Sequence, residues 1–150
     1  MNKNKSTLEM TLLMTPDKAN FSGKVHGGEM LKLMDQVAYS CAARYCGHYV
    51  VTLSVEKVLF KEPINVGDLV SFYASVNYTG NTSMEIGIKV MAEDLKTNID
   101  RHCISCYFTL VAMDGNGKPT TVSKLVTETD DQRRRWQNAV ARRKGCNENE

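Results

Sequence analysis

An amide at Asn20, a glycine pair at Gly27-Gly28 behind His26, and a carboxylate at Asp35 lie within sixteen consecutive residues. The glycines stand where a helical pattern opens. Glycine there lets a ligand approach the backbone closely, and the first amides of a helix have no intrahelical acceptor. Two such N–H groups, backed by the positive end of a helix, suit the oxyanion that develops when a carbonyl is attacked. The same glycines would equally serve a tight entry turn that needs positive φ. Asp35 sits two turns further on, at the border of an apolar face beside Leu31, Ala38 and Ala42. Half sunk there, its carboxylate would be desolvated, its pKa raised and its strength as a base increased; turned to water, it would be a solvated rim aspartate. Asn20 could orient a water or close an Asx turn. His26 could serve as base, as ligand or simply as the residue before the helix. There is no GxSxG, HExxH, GxGxxG or P-loop pattern, which leaves serine-nucleophile, zinc-peptidase, dinucleotide and nucleotide-hydrolysis chemistry without support.

These residues need elements to hold them. Met30, Leu31, Leu33, Met34, Val37, Ala38, Cys41 and Ala42 recur at helical spacing and cover about half the wheel, predicting a long buried helix from about residue 27 to 45 with Gly47 as its stop. Residues 15–28 before it, with Pro16, Asn20, Gly23 and the glycine pair, form a loop long enough to suspect a function. Residues 7–14 read as a strand. From Tyr49 the period becomes two, with Val51, Leu53 and Val55 on one face and Thr52, Ser54 and Glu56 on the other, as far as Phe60. Further strands are expected over Gly67–Thr79, Met84–Ala92 and Ile99–Met113, the first two joined by Gly80-Asn81, with an extended segment over Lys118–Thr127. Strands joined by short turns make an antiparallel sheet, and one helix can cover one of its faces. The expected class is α+β: a single domain over 7–128, with five or six antiparallel strands wrapping one helix. A basic C-terminal helix and frayed tail follow over 129–150, capped by Asp130 or Asp131.

The bulk numbers agree. The chain has 150 residues, is 42% hydrophobic and 24% charged, and carries 19 basic against 17 acidic side chains for a net charge of +2. That describes one soluble domain and argues against disorder and against a highly charged nucleic-acid binder. No apolar run approaches the length of a membrane span, and Glu9 interrupts anything resembling a signal peptide. Five cysteines in such a chain read as reduced thiols in the cytoplasm. Cys103 and Cys106 have CxxC spacing, but an offset of three in a strand puts them on opposite faces, and no second ligand pair completes a metal site.

The run Asn20-Phe21-Ser22-Gly23-Lys24-Val25-His26-Gly27-Gly28, continuing through Leu33-Met34-Asp35 and Ala42-Ala43-Arg44, resembles the helix of hotdog-fold acyl-CoA hydrolases of the bacterial YciA and brain acyl-CoA hydrolase type. Val50-Val51-Thr52 leading to Phe60, Glu62-Pro63-Ile64-Asn65-Val66-Gly67-Asp68, and Asn81-Thr82-Ser83-Met84 are similar to later blocks of that family, so the likeness covers roughly residues 8–130. The resemblance implies hydrolysis of fatty acyl-CoA to free fatty acid and CoA, as part of fatty acid metabolism. Asp35 is then general base or nucleophile, Asn20 positions water and substrate, and the Gly28 amide, beside Gly27, polarises the thioester carbonyl. It further implies substrate contacts at His26, Gly27, Arg44, Phe60, Thr82 and Ser83. No cofactor is implied, CoA being part of the substrate. It implies active sites shared across a homodimer, with trimers of dimers as a further assembly. CoA phosphates would meet the basic segment, with six basic and no acidic side chains over 133–144, or the rivals Arg44, Lys57 and Lys61. A hotdog hydratase or dehydratase, which pairs a histidine with a carboxylate, and a noncatalytic acyl-CoA sensor are the competing readings.

Overall fold

The computed structural model describes residues 5–148. Five strands and two helices follow in the order β1 (Thr7–Leu13), α1 (Gly27–Cys46), β2 (Tyr49–Phe60), β3 (Leu69–Thr79), β4 (Ser83–Asp94), β5 (Ile99–Met113) and α2 (Asp130–Glu148). The strands form one antiparallel sheet in the order β1-β3-β4-β5-β2, so β1 and β2 are its edges.

The period of the sequence explains how α1 meets this sheet. Seven of its eight stripe residues are buried, Leu31 alone being half-buried at the border, and Met34, Ala38, Cys41 and Ala42 have no exposed surface. Each fully buried methionine or valine contributes about 1.5–3 kcal/mol of transfer free energy, so the stripe anchors the fold. It packs on the inward strand residues Phe72, Ile86, Phe108 and Leu110, which are likewise buried. Gly47 ends the helix at φ 74°, a left-handed conformation that favours glycine, with its N–H on Ala43 O at 2.8 Å.

Strand β2 departs from its expected alternation. The register against β5 shifts between Thr52 and Ser54 and again between Glu56 and Leu59, where Lys57 has φ 53°. Val50 is buried while Leu53, expected among the inward residues, is 68% exposed. Thr52 instead faces α1. The bulges leave an edge strand with Tyr49, Leu53, Val55, Leu59 and Phe60 all exposed.

The offset of three that would set Cys103 and Cys106 on opposite faces of a regular strand is interrupted. A bulge opposite Val90 and Met91 leaves Cys103 as the unpaired residue, and both thiols are buried. They and Cys41 and Cys46 are free thiols, Cys146 lying outside the residues whose side chains are described, and no cluster that could hold a metal occurs among the described residues. Among the described residues, no helix is long and apolar enough to cross a membrane.

Helix α2 lies against the other face of the sheet. Its cap is Thr129 rather than Asp130 or Asp131: the Thr129 hydroxyl accepts Gln132 N–H at 3.1 Å, and Gln132 Oε1 accepts the N–H groups of Glu128 and Thr129 at 2.6 and 3.0 Å. This reciprocal pairing satisfies amides that the helix itself cannot. The helix runs on through Gly145 to Glu148, and the end of the tail expected to fray, 149–150, lies outside the described residues. Trp136 stacks on Tyr78 with ring centroids 4.5 Å apart, and Ala139 is fully buried beneath it.

Candidate active site

Asp35 stands on α1 eight residues beyond Gly27, about 12 Å along the helix axis. Its side chain is half-buried, and the Thr52 hydroxyl donates to its Oδ1 at 2.7 Å. Thr52 escaped the sequence reading because strict alternation placed it on the face away from the helix. The bulge begins only after it: Thr52 shares the face of buried Val50, so the signal that would have found it is an alternation phased on Val50 rather than on Val51.

At the start of α1, His26 is exposed and provides no side-chain cap, and the first intrahelical bond runs from Met30 N–H to His26 O at 3.1 Å. The amides of Gly27 and Gly28 therefore precede the helical ladder. Neither glycine has positive φ, so the entry-turn explanation for them does not hold. What they provide is room. A Cβ on Gly28 would meet no atom within 4 Å, while one on Gly27 would lie 3.5 Å from the Phe60 ring. Phe60 and Gly27 line a cleft of about 280 Å³ together with Val25, Met30, Pro63 and Ile104. The Gly27 and Gly28 amides, the apolar cleft and the Asp35 carboxylate thus all lie on or against α1.

Asn20 closes an Asx turn in its own loop. Its Oδ1 accepts Ser22 N–H at 2.9 Å, the Ser22 hydroxyl at 2.8 Å and Lys24 N–H at 3.1 Å. No hydrogen bond joins it to Asp35 among the described residues. Thr82 and Ser83 also lie apart from Asp35. Thr52, Leu110 and Met84 form one cross-strand row, and Ser83 belongs to the next. The Ser83 hydroxyl lies beside Gly80, near the Arg143 guanidinium on the α2 side. Arg44, in the last turn of α1, donates to Thr7 O and borders a groove of about 770 Å³ shared with Lys89, Arg134 and Arg135.

The basic segment is largely committed within the chain. Arg142 pairs with buried Glu85 through two bonds of 2.8 and 3.2 Å and lies 3.6 Å over the Tyr107 ring. Arg143 lies 4.6 Å over Tyr78. Arg142 is thus committed within the chain, whereas Lys57 and Lys61, two of its rivals, are exposed.

Comparison with known proteins follows from this geometry. The thioesterase superfamily profile matches residues 22–99. Protein VdlD of Helicobacter pylori is 51% identical over 139 residues, 93% of this chain and 79% of its own. A hexameric acyl-CoA thioesterase superposes with a TM-score of 0.93 at 31% identity, covering 97% of this chain and 93% of that one. An acyl-CoA hydrolase of Staphylococcus aureus, solved with butyryl-CoA and CoA, has a TM-score of 0.87 at 30% identity over 95% of this chain and 89% of that one. That hydrolase has also been solved with alanine replacing one asparagine, one aspartate and one threonine, which stand fifteen and seventeen positions apart in succession. The chain belongs to the thioesterase superfamily, built on the hotdog fold, and its solved neighbours there are acyl-CoA hydrolases.

Proposed function

We propose that the protein hydrolyses fatty acyl-CoA to the free acid and CoA, with Asp35 as general base or nucleophile. The observation that carries this is the Asp35 carboxylate, half-buried on the helix and held by the Thr52 hydroxyl at 2.7 Å. Asn20, Asp35 and Thr52 are fifteen and seventeen positions apart, the spacing of the three residues replaced in the Staphylococcus aureus hydrolase. In this reading the thioester oxygen lies at the Gly27 and Gly28 amides. Asp35 takes a proton from water as its oxygen bonds to the carbonyl carbon, and returns it to the departing CoA sulfur. If Asp35 attacks directly, an anhydride forms and water opens it. Either route consumes one water and needs no further group. The acyl chain enters the cleft beside Phe60 and Met30, His26 borders the same opening, and Arg44, Thr82 and Ser83 contact the CoA moiety from a neighbouring copy. In the competing dehydratase reading a histidine faces the carboxylate, whereas His26 sits at the helix start, nine positions and about 13.5 Å from Asp35 along the axis.

The site is composite. The Asn20 amide oxygen is held inside its loop, which leaves its N–H donors for substrate, and a second copy brings them to Asp35. The apolar edge β2, with Leu53 and Leu59 more than half exposed, is the surface that a second copy covers. A homodimer then holds two equivalent sites, and three dimers make the hexamer found among its neighbours. Thiol release measured across acyl-CoA chain lengths tests the activity: turnover of acyl-CoA is expected, and binding without thiol release would reduce the protein to a sensor. Mixing inactive Asn20→Ala and Asp35→Ala proteins under subunit exchange tests the composite site. Part of the activity returns in sites that receive both native residues, and exchanged heterodimers that stay inactive would refute the sharing.

A further inference from the structure

Both ends of the loop that carries Asn20 are tied to one turn, and that turn is held from below by one guanidinium. The chain enters the loop at Met14, whose N–H donates to Asp68 O at 3.0 Å, while Gly67 N–H donates to Met14 O at 2.8 Å. It leaves at Lys24-Val25. Lys24 bridges Asn65, its ammonium donates to Asn65 Oδ1 at 2.7 Å, and Val25 N–H donates to Ile64 O at 2.8 Å. Lys24 is also the residue that grips Asn20, through Asn20 N–H to Lys24 O at 2.6 Å and Lys24 N–H to Asn20 Oδ1 at 3.1 Å.

The turn over residues 62–68 has its own support. Asp68 is only 4% exposed, and its Oδ2 accepts Asn65 N–H at 2.9 Å and the Arg101 guanidinium at 2.8 Å. The same guanidinium donates to Pro63 O at 3.1 Å and lies 3.4 Å from the Glu62 carboxylate. Arg101 rises from the third residue of β5, paired with Ala92 of β4 and two residues before Cys103, whose carbonyl accepts Lys61 N–H at 2.8 Å, so its anchor is tied into the sheet. A planar fork that serves Asp68, Pro63 and Glu62 together is something an ammonium cannot reproduce. The Asp68 hydrogen bond, with the nearby carboxylates, holds the guanidinium pKa further above its ordinary value, so Arg101 stays charged throughout the neutral range.

Resting on the reading of Asn20 as a site residue, we propose that Arg101, acting through Asp68, is a positioning residue of the hydrolysis: it fixes the 62–68 turn and thereby the place of Asn20. Arg101 touches no substrate in this scheme. Its effect reaches the reaction because a displacement of about 1 Å in a positioned group can cost about 10²-fold in rate.

A double-mutant cycle separates positioning from plain stability. Arg101→Lys, Asn20→Ala and the double variant are compared by thiol release, with folding and assembly followed by circular dichroism and gel filtration. Arg101→Lys is expected to stay folded and to lower kcat about 10- to 100-fold with KM little changed. In the Asn20→Ala background the same substitution is expected to add less than about threefold, because the group it positions is already gone. Multiplying losses in the double variant, or an unchanged kcat in Arg101→Lys, would overturn the proposal. Should Arg101→Lys fold poorly, Asp68→Asn keeps the volume and an acceptor for Arg101 and supports the same cycle with the same two readings. The underlying reading fails separately: wild-type kcat in Asn20→Ala removes the role of Asn20, and the proposal with it, whereas a large Asn20→Ala loss with additive behaviour removes only Arg101.

Discussion

Two carboxylates lie on opposite faces of one sheet, and the chain treats them in opposite ways. Glu85, facing α2, is buried and fully matched: Arg142 meets both of its oxygens, and their side chains are only 5% and 11% exposed. Tyr107 covers the guanidinium at 3.6 Å. Asp35, facing the start of β2, is half-buried and holds one neutral hydroxyl on one oxygen. A carboxylate locked by a guanidinium is neutralised and has nothing left to offer a substrate. A carboxylate held by one hydroxyl has its second oxygen left to meet a proton in flight. The difference suits Glu85 to a structural role and, in the proposed reaction, Asp35 to a chemical one.

The largest expected effects come from exchanging those roles. Asp35→Ala should lower kcat by about 10² to 10⁴, the usual contribution of a positioned base, while moving Tm by no more than about 2 °C. Arg142→Ala should do the reverse. It strands Glu85 as a buried unpaired charge, a loss of about 3–5 kcal/mol, which for a domain of this size lowers Tm by roughly 10 °C. The folded fraction should keep kcat within about threefold. Thermal melts beside thiol-release kinetics check both, and an Arg142→Ala enzyme that melts normally but turns over slowly would collapse the comparison.

A smaller effect sharpens it. If Thr52 orients Asp35, Thr52→Val removes the hydrogen bond while nearly keeping the shape. A bond to a charged acceptor is worth about 1.5–3 kcal/mol net when buried, and this one is partly open to solvent, so about a tenfold fall in kcat is expected. Thr52→Ser retains the hydroxyl and should recover most of the rate. Equal losses in both variants would mean that the methyl group matters and the hydroxyl does not.

How much of this could be read from the residues follows from what kind of information each feature uses. Helix α1 was expected from about 27 to 45 and runs from Gly27 to Cys46, because its eight-residue stripe and Gly47 are local signals. The four later strands were legible for the same reason. Thr52 was not, since the alternation can be phased on Val50 or on Val51, and only the burial of Val50 in the core decides between them. The Thr129–Gln132 cap was missed because Asp130 and Asp131 compete for the same position by residue type alone. The Arg101–Asp68 and Arg142–Glu85 pairs join residues 33 and 57 positions apart, where no periodicity points. Asn20, Gly28 and Asp35 stood out as a motif, and the resemblance already implied that two copies share the site; what only the structure adds is that the Asn20 amide oxygen turns into its own loop, onto Ser22 and Lys24.

The smallest effect at neutral pH concerns groups that both faces exclude from water. Burial pushes the Cys41 thiol up to about 11 and the Cys106 thiol up to about 12, from an ordinary 9.0. Cys106 lies against Met34 in the core, with its Sγ 3.6 Å from the thioether sulfur. Both thiols are protonated in the folded and the unfolded chain below pH 9, so they leave stability at pH 7 unaffected. Above pH 9 the unfolded chain ionises them and the folded chain does not. The stability tied to their protonated form is therefore complete below pH 9 and is lost as pH rises through about 11 for Cys41 and about 12 for Cys106. Each thiol can add up to about 1.4 kcal/mol of slope per pH unit in that window. Cys103 and Tyr45 are shifted upward by burial too, so removing one thiol should reduce the slope without abolishing it. Cys106→Ala is expected to melt at a lower temperature at pH 7, from the cavity it leaves, yet to lose less stability than the wild type between pH 9 and pH 11. Parallel Tm-against-pH curves for the two proteins would show that Cys106 does not stay protonated in the folded core.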